Sequence, residues 1–141
     1  MRLRDRLESD LPILFANQSD PLGFEMAGFS ARDWDTFLAH HARISANPSN
    51  IIKTILAGEQ VAGDIGSWEM DGERDVGYWI GREFWGRGIA TRALAAFLEE
   101  LPERPLYAHV VKHNQGSRRV LEKCGFALCG ENDEELILKL E

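Results

Sequence analysis

The chain is short of cysteine: only Cys124 and Cys129 occur among its 141 residues. One falls on a predicted helix end and the other on the next strand, so packing is expected rather than a bridge, and with it a reducing, cytoplasmic setting. No apolar run approaches the ~20 residues of a membrane span, so no membrane association is expected. The first residues, MRLRDRLESD, are charged and lack the apolar centre of a signal peptide. Basic charge is also in deficit, with 16 Lys and Arg against 23 Asp and Glu, a net −7. That balance excludes general affinity for nucleic acid, whose backbone calls for a basic footprint. Internal repeats, long linkers and low-complexity tracts are missing, and the length suits one domain over residues 1–141. Two nucleotide signatures are absent as well. There is no Gly-x-x-x-x-Gly-Lys-Ser/Thr, and a dinucleotide fingerprint begun at Gly86 meets Thr91 where its third glycine belongs.

What is present concentrates between Val76 and Leu94, VGYWIGREFWGRGIATRAL. Val76, Tyr78 and Ile80 alternate with Gly77 and Trp79, the period of a strand. Gly86 and Gly88 let the backbone turn without a Cβ, and Ile89, Ala93, Ala96 and Phe97 follow at helical spacing. A strand, a glycine turn and a helix N-terminus gather free N–H groups at the positive end of a helix dipole, which is an anion site and most naturally a phosphate site. Taken alone, the same glycines also serve a plain turn.

A second segment, Asn114 to Phe126, reads NQGSRRVLEKCGF, with Val120, Leu121 and Cys124 as an apolar helical stripe and Gly125 placed to end it. Together the two segments resemble the GCN5-related N-acetyltransferase (GNAT) family, and most nearly its branch of ribosomal-protein N-terminal acetyltransferases. The family motif Gln/Arg-x-x-Gly-x-Gly/Ala falls on Trp85 to Ala90. Its Asn-x-x-Ala/Ser, with a helix ending in Gly-Phe, falls on Asn114, Ser117, Gly125 and Phe126. The resemblance implies an α+β fold with a mixed, mostly antiparallel central sheet of about seven strands flanked by about four helices.

The residue patterns give the same order. Strands are expected near Arg2–Leu3, at Ile51–Leu56, Val61–Trp68, Asp75–Ile80 and Leu106–Val111, with two more at the C-terminus. Turns are expected at Ala57-Gly58-Glu59 and Asp71-Gly72. Helices are expected from Ser9-Asp10-Leu11-Pro12, from Ile89 to about Glu99, and over Gly116–Cys124. Another carries Trp34, Phe37, Leu38 and His41 on one side, after a capping-box-like Ser30-Ala31-Arg32-Asp33.

The activity implied by the resemblance is transfer of an acetyl group from acetyl-CoA to an amine. The backbone of Gly86, Arg87, Gly88, Ile89, Ala90 and Thr91 would hold the CoA pyrophosphate, with the Arg87 side chain a candidate further contact, and Tyr78, Trp79 and Ile80 would pair with the pantetheine arm. An N–H of that strand would polarise the thioester carbonyl, a contribution commonly worth ~10²–10³ in rate. Asn114 would bond the pantetheine or order water; the same residue also suits a turn before the helix. An alkylammonium of pKa ~10 must lose its proton before attack, so a base is required. Family members with a glutamate base on this strand carry it at the position of Asp75, which shares a face with Trp79 by alternation. Glu69, Glu83 and His109 are the other candidates. The family's tyrosine acid falls on Leu121, so Ser117 is the expected replacement as acid toward the thiolate; a serine there equally suits a helix start. His109 and His113 lack a framing helix or acidic partner, so no metal is expected. The acceptor is an amine, either a small molecule or a protein N-terminus, drawn into a groove from Phe29–Asn47 and the final strands. Trp34, Phe37 and Trp68 fit either that groove or the core. The acidic residues near the C-terminus, Glu131, Asp133, Glu134 and Glu135, suit a solvated surface or a field attracting a cation. A homodimer is also compatible. The missing tyrosine keeps a non-catalytic acyl-CoA-binding module as the alternative.

Overall fold

A computed structural model describes residues 1–22 and 32–141. Among these residues seven strands run in chain order: β1 Arg2–Asp5, β2 Ile51–Ala57, β3 Gln60–Met70, β4 Glu73–Ile80, β5 Leu106–Val111, β6 Ala127–Glu131 and β7 Glu135–Leu140. Four helices are complete within the described residues: α1 Leu11–Gln18, α2 Trp34–Ala46, α3 Ile89–Glu100 and α4 Gln115–Lys123. The strands form one sheet in the order β1-β2-β3-β4-β5-β7-β6. Every neighbouring pair is antiparallel except β4 and β5, as a crossover through α3 requires.

Local chemistry explains the meander. Asp71 and Gly72 both take positive φ, 52° and 81°, the twist of a two-residue hairpin turn that feeds β3 into β4. The resulting hairpin pairs without interruption from Gly63↔Ile80 to Met70↔Glu73. Pro12 sits in the first turn of α1, where a missing N–H costs nothing. The Ser30 and Ala31 of the expected capping box lie outside the described residues. Asp33 itself caps α2, its Oδ1 accepting from the Thr36 N–H at 2.7 Å.

The β1–β2 corner is held by one carboxylate. Asp10 is buried, accepts two bonds from the Arg4 guanidinium at 2.7 and 2.8 Å, and accepts from Leu7 N–H and Thr54 Oγ1 at 2.8 Å each. The Arg4 bonds and those from Leu7 and Thr54 hold its carboxyl down at about 2 against the opposing effect of burial.

By strand alternation, Ile65, Val76, Tyr78, Ile80, Leu106, Ala108, Val110, Leu136 and Leu138 share one face of the sheet. That face carries the main core against Ile89, Ala93, Leu94 and Phe97 of α3 and Leu121 of α4. The opposite face, with Asp64, Trp68, Gly77 and Trp79, receives α1 and α2. There Phe15 meets Trp34 at 5.1 Å and Phe37 at 5.2 Å between ring centroids, both edge-on.

Candidate active site

Strand β4 has two different edges. Toward β3 it is paired along its whole length, whereas toward β5 it is in register at a single position, Asp75↔Tyr107. Beyond that point the two parallel strands diverge, and Val76 to Ile80 border a wedge instead of a neighbour. A strand edge left open inside a fold presents backbone groups that another extended chain can pair with.

On one side of the wedge lies a cleft of about 470 Å³, lined by Tyr78, Trp79, Ile80, Gly86, Gly88, Ile89, Ala90, Thr91, Asn114 and Ser117 among others. Ten of the expected site residues are thus brought to one surface. Gly86 and Gly88 have φ of 78° and 72°, left-handed values that disfavour a side chain. A Cβ added at either would meet no protein atom within 4 Å, so the room beside the turn belongs to the cleft. The helical ladder of α3 opens with Arg92 N–H donating to Gly88 O at 3.2 Å, which leaves the N–H groups of Ile89, Ala90 and Thr91 ahead of it. This suits a pyrophosphate: backbone donors, a dipole end, no Cβ, and the cations Arg119 and Lys123 on the rim. Arg87, expected as a phosphate contact, is not part of the lining; its guanidinium lies over the Phe84 ring, 5.4 Å from the centroid. Trp85 ties the turn to the strand by donating from Nε1 to Ile80 O at 2.8 Å.

On the other side a second cleft of about 300 Å³ is lined by Arg6, Gln18, His40, His41, Asp64, Trp68, His109 and Glu135, among others. Tyr78, Trp79, Asn114 and Ser117 line both clefts. At that junction Tyr78 Oη and Ser117 Oγ are hydrogen-bonded at 2.8 Å. Burial pushes the Tyr78 hydroxyl up to about 12, partly offset by its bond to Ser117, so it keeps its proton at neutral pH. The cap of α4 is Asn114, whose Oδ1 accepts from the Ser117 N–H at 3.1 Å. The Ser117 hydroxyl is therefore not spent on capping. Position 121, where the family's tyrosine would stand, holds Leu121, buried beside the second cleft, while β4 brings the Tyr78 hydroxyl to Ser117 from another element, a pairing that sequence spacing did not reveal.

The carboxylates are arranged differently from expectation. Asp75 is buried, 1% exposed, and lines neither cleft. Asp64, which the sequence reading passed over, lines the second cleft from the position paired with Trp79. Burial raises its carboxyl to about 6 against the pull of Arg6. Arg6 also contacts His41 Nδ1, and burial, ahead of Arg6, lowers that imidazole to about 4. Phe37 is fully buried in the core, whereas Trp68 does line the cleft. Phe29, at the start of the expected acceptor groove, lies outside the described residues. Cys129 is exposed rather than packed, and both cysteines are free.

The expectation that His109 has no acidic partner is corrected. Its Nε2 lies 3.9 Å from Glu73 Oε2 and 3.9 Å from Asp75 Oδ2, and its Nδ1 lies 3.7 Å from Glu135 Oε1. Three strands, β4, β5 and β7, bring these groups together, which is why no local spacing announced them.

Comparison with known proteins is consistent with this geometry. A model of the acetyltransferase (GNAT) domain family matches residues 1–127. No curated protein sequence matches the chain. Solved structures share the fold. A ribosomal-protein-alanine N-acetyltransferase from Brucella melitensis has a TM-score of 0.82 at 20% identity, with 99% of each chain covered. An acetyltransferase from Agrobacterium tumefaciens gives 0.83 at 23% identity, covering 99% of this chain and 89% of that one. A spermidine N-acetyltransferase from Vibrio cholerae, solved with CoA and spermine, gives 0.81 at 15% identity, covering 98% and 92%. Among the described residues no helix is long and apolar enough to cross a membrane.

Proposed function

The chain belongs to the GNAT acetyltransferase family, and we propose that it moves an acetyl group from acetyl-CoA to a primary amine by direct attack within a ternary complex. The observation that carries this reading is the wedge between β4 and β5, with a glycine-lined cleft on one side, a carboxylate-bearing cleft on the other, and a hydroxyl pair where they meet. Acetyl-CoA supplies the activated acyl group as a thioester. Backbone N–H groups from Gly86 to Thr91 hold its phosphates, with Arg119 and Lys123 adding charge from the rim. The open edge of Tyr78, Trp79 and Ile80 pairs with the extended arm and aims an N–H at the carbonyl.

Asp64 takes the proton from the incoming ammonium. It is the carboxylate that lines the acceptor cleft, and its raised pKa makes it a stronger base than an ordinary aspartate. Asp75 is set aside for this role because its carboxylate opens into neither cleft. Ser117 delivers a proton to the departing thiolate and is resupplied by the Tyr78 hydroxyl, which regains its proton from the one the attacking nitrogen sheds as the amide forms. The acceptor is a small-molecule amine or a protein N-terminus. Leu121, standing where the family's tyrosine would be, favours a second reading as an acyl-CoA-binding module without turnover.

Calorimetric titration with acetyl-CoA, with ATP and NAD as controls, tests the cofactor assignment. Micromolar binding selective for acetyl-CoA supports it. Equal or absent binding of all three would mean that the glycine turn serves only the fold.

A further inference from the structure

The parallel junction of β4 and β5 holds a group of side chains that acetyl transfer does not use. Glu73, Asp75 and His109 each offer one ligand atom, and the three atoms lie within 4.8 Å of one another. Asp75 is the decisive member. Its side chain is 2% exposed, and among the described residues neither carboxylate oxygen has a hydrogen-bond partner. His109 Nε2, facing it at 3.9 Å, is also buried without one. That separation is too long for a hydrogen bond, and a buried carboxylate left unsatisfied is costly. Among the described residues, the charged groups acting on Asp75 besides the imidazole are Glu73, Asp71 and Glu135, all acidic. The pieces fit a cation that none of these side chains can replace.

We propose that Glu73, Asp75 and His109 form a binding site for one divalent first-row metal ion. An imidazole with two carboxylates is the borderline ligand set that takes zinc, and in the same geometry manganese or cobalt, ahead of magnesium. Three protein ligands leave a position open. All three come from paired strands; the Asp75 side chain is covered, while that of Glu73, 41% exposed, has the freedom to close the remaining gap. Glu135 lies 3.7 Å from Nδ1, on the far side of the ring; that is too long for a hydrogen bond, and a small closure on metal binding would let this carboxylate fix the imidazole with Nε2 toward the ion. His109 and Glu135 line the acceptor cleft, so the ion stands at the end of that cleft, beside the point where β4 leaves β5.

The test uses the full chain stripped with a chelator and titrated calorimetrically with ZnCl₂, MnCl₂ and MgCl₂, with no acetyl-CoA present, so its outcome is independent of the acetyltransferase reading. The expected result is one zinc or manganese ion per chain, bound more tightly than magnesium. Binding should weaken at least tenfold in Asp75→Asn and His109→Ala, and ~10–100-fold in Glu135→Gln. Thermal melting in chelator separates loss of a ligand from loss of fold: Asp75→Asn should melt no lower than the parent, because an unsatisfied buried charge has been removed. Absence of zinc and manganese binding at millimolar concentration would overturn the proposal. Binding unchanged in folded Asp75→Asn and His109→Ala would overturn it equally.

Discussion

Replacing Asp64 with asparagine removes one proton acceptor and almost no volume, and its consequences follow from the position of the carboxylate. Asp64 lines the acceptor cleft beside Trp79, with its carboxyl raised to about 6. Roughly nine-tenths of it is then ionised at pH 7 and about a tenth at pH 5. Because the ionised form is the base, turnover with a fixed amine should rise with pH through a midpoint near 6. Asp64→Asn should lose ~10²–10⁴-fold in kcat/KM, the usual range for a positioned base, and should lose that limb of the profile. The separate limb set by the amine's own proton should stay. Stability should move the other way. A carboxyl raised from 3.8 to about 6 is harder to ionise in the fold by about 3 kcal/mol. Its contribution to stability is complete below the unfolded value and is lost as pH climbs through about 6. The variant should therefore gain in Tm relative to the parent between mildly acidic and mildly alkaline pH. Initial rates measured by release of the CoA thiol across pH, with melts in the same buffers, provide both readouts. An unaltered limb near 6 in a folded Asp64→Asn would refute the assignment.

Ser117→Ala and Tyr78→Phe should each cut turnover about tenfold or more with little change in acetyl-CoA affinity, and the double variant should be no worse than the poorer single, because the two hydroxyls act in series; steady-state kinetics with calorimetry checks this, and additive losses would show independent roles. Gly63→Ala should destabilise by ~3 kcal/mol, since its Cβ would lie 1.9 Å from Trp79 O and force β3 from β4; chemical denaturation measures it, and a wild-type midpoint would contradict the strand register. Asp10→Ala should cost about 3 kcal/mol by stranding Arg4 and Thr54. Because the Asp10 carboxyl is held down at about 2, its contribution is present above ~pH 4 and is lost as pH falls toward that value, so the variant's deficit should shrink in acid.

The parts legible in the sequence are those whose chemistry is local. Gly86 and Gly88 before Ile89, and Asn114 ahead of the stripe closed by Gly125, announce a turn and a helix within a few residues, and both formed where expected, although the cap is Asn114 and not Ser117. The Asp71-Gly72 hairpin was legible for the same reason. Groups made neighbours by strand pairing left no such trace. Asp64 meets Trp79 through the β3–β4 register, 15 positions apart in the chain. Tyr78 meets Ser117 across the wedge, and His109 meets Glu73, Asp75 and Glu135 across three strands. Asp10 looked like a helix start because its neighbours Leu11 and Pro12 are, yet its side chain is committed to Arg4 and Thr54. Alternation placed Asp75 on the correct face beside Trp79, but it carries no information about depth, and at the one paired position of β4 and β5 the side chain is covered.

The most direct test is to incubate the purified chain with acetyl-CoA and a panel of primary amines that includes polyamines and peptides with free N-termini, and to follow CoA thiol release with acetylated product identified by mass. Amine-dependent release is expected, with an acetylated product in equal amount and both slowed about tenfold or more in Ser117→Ala. Selective acetyl-CoA binding without release on any amine would contradict it, and would leave a CoA-binding module in its place.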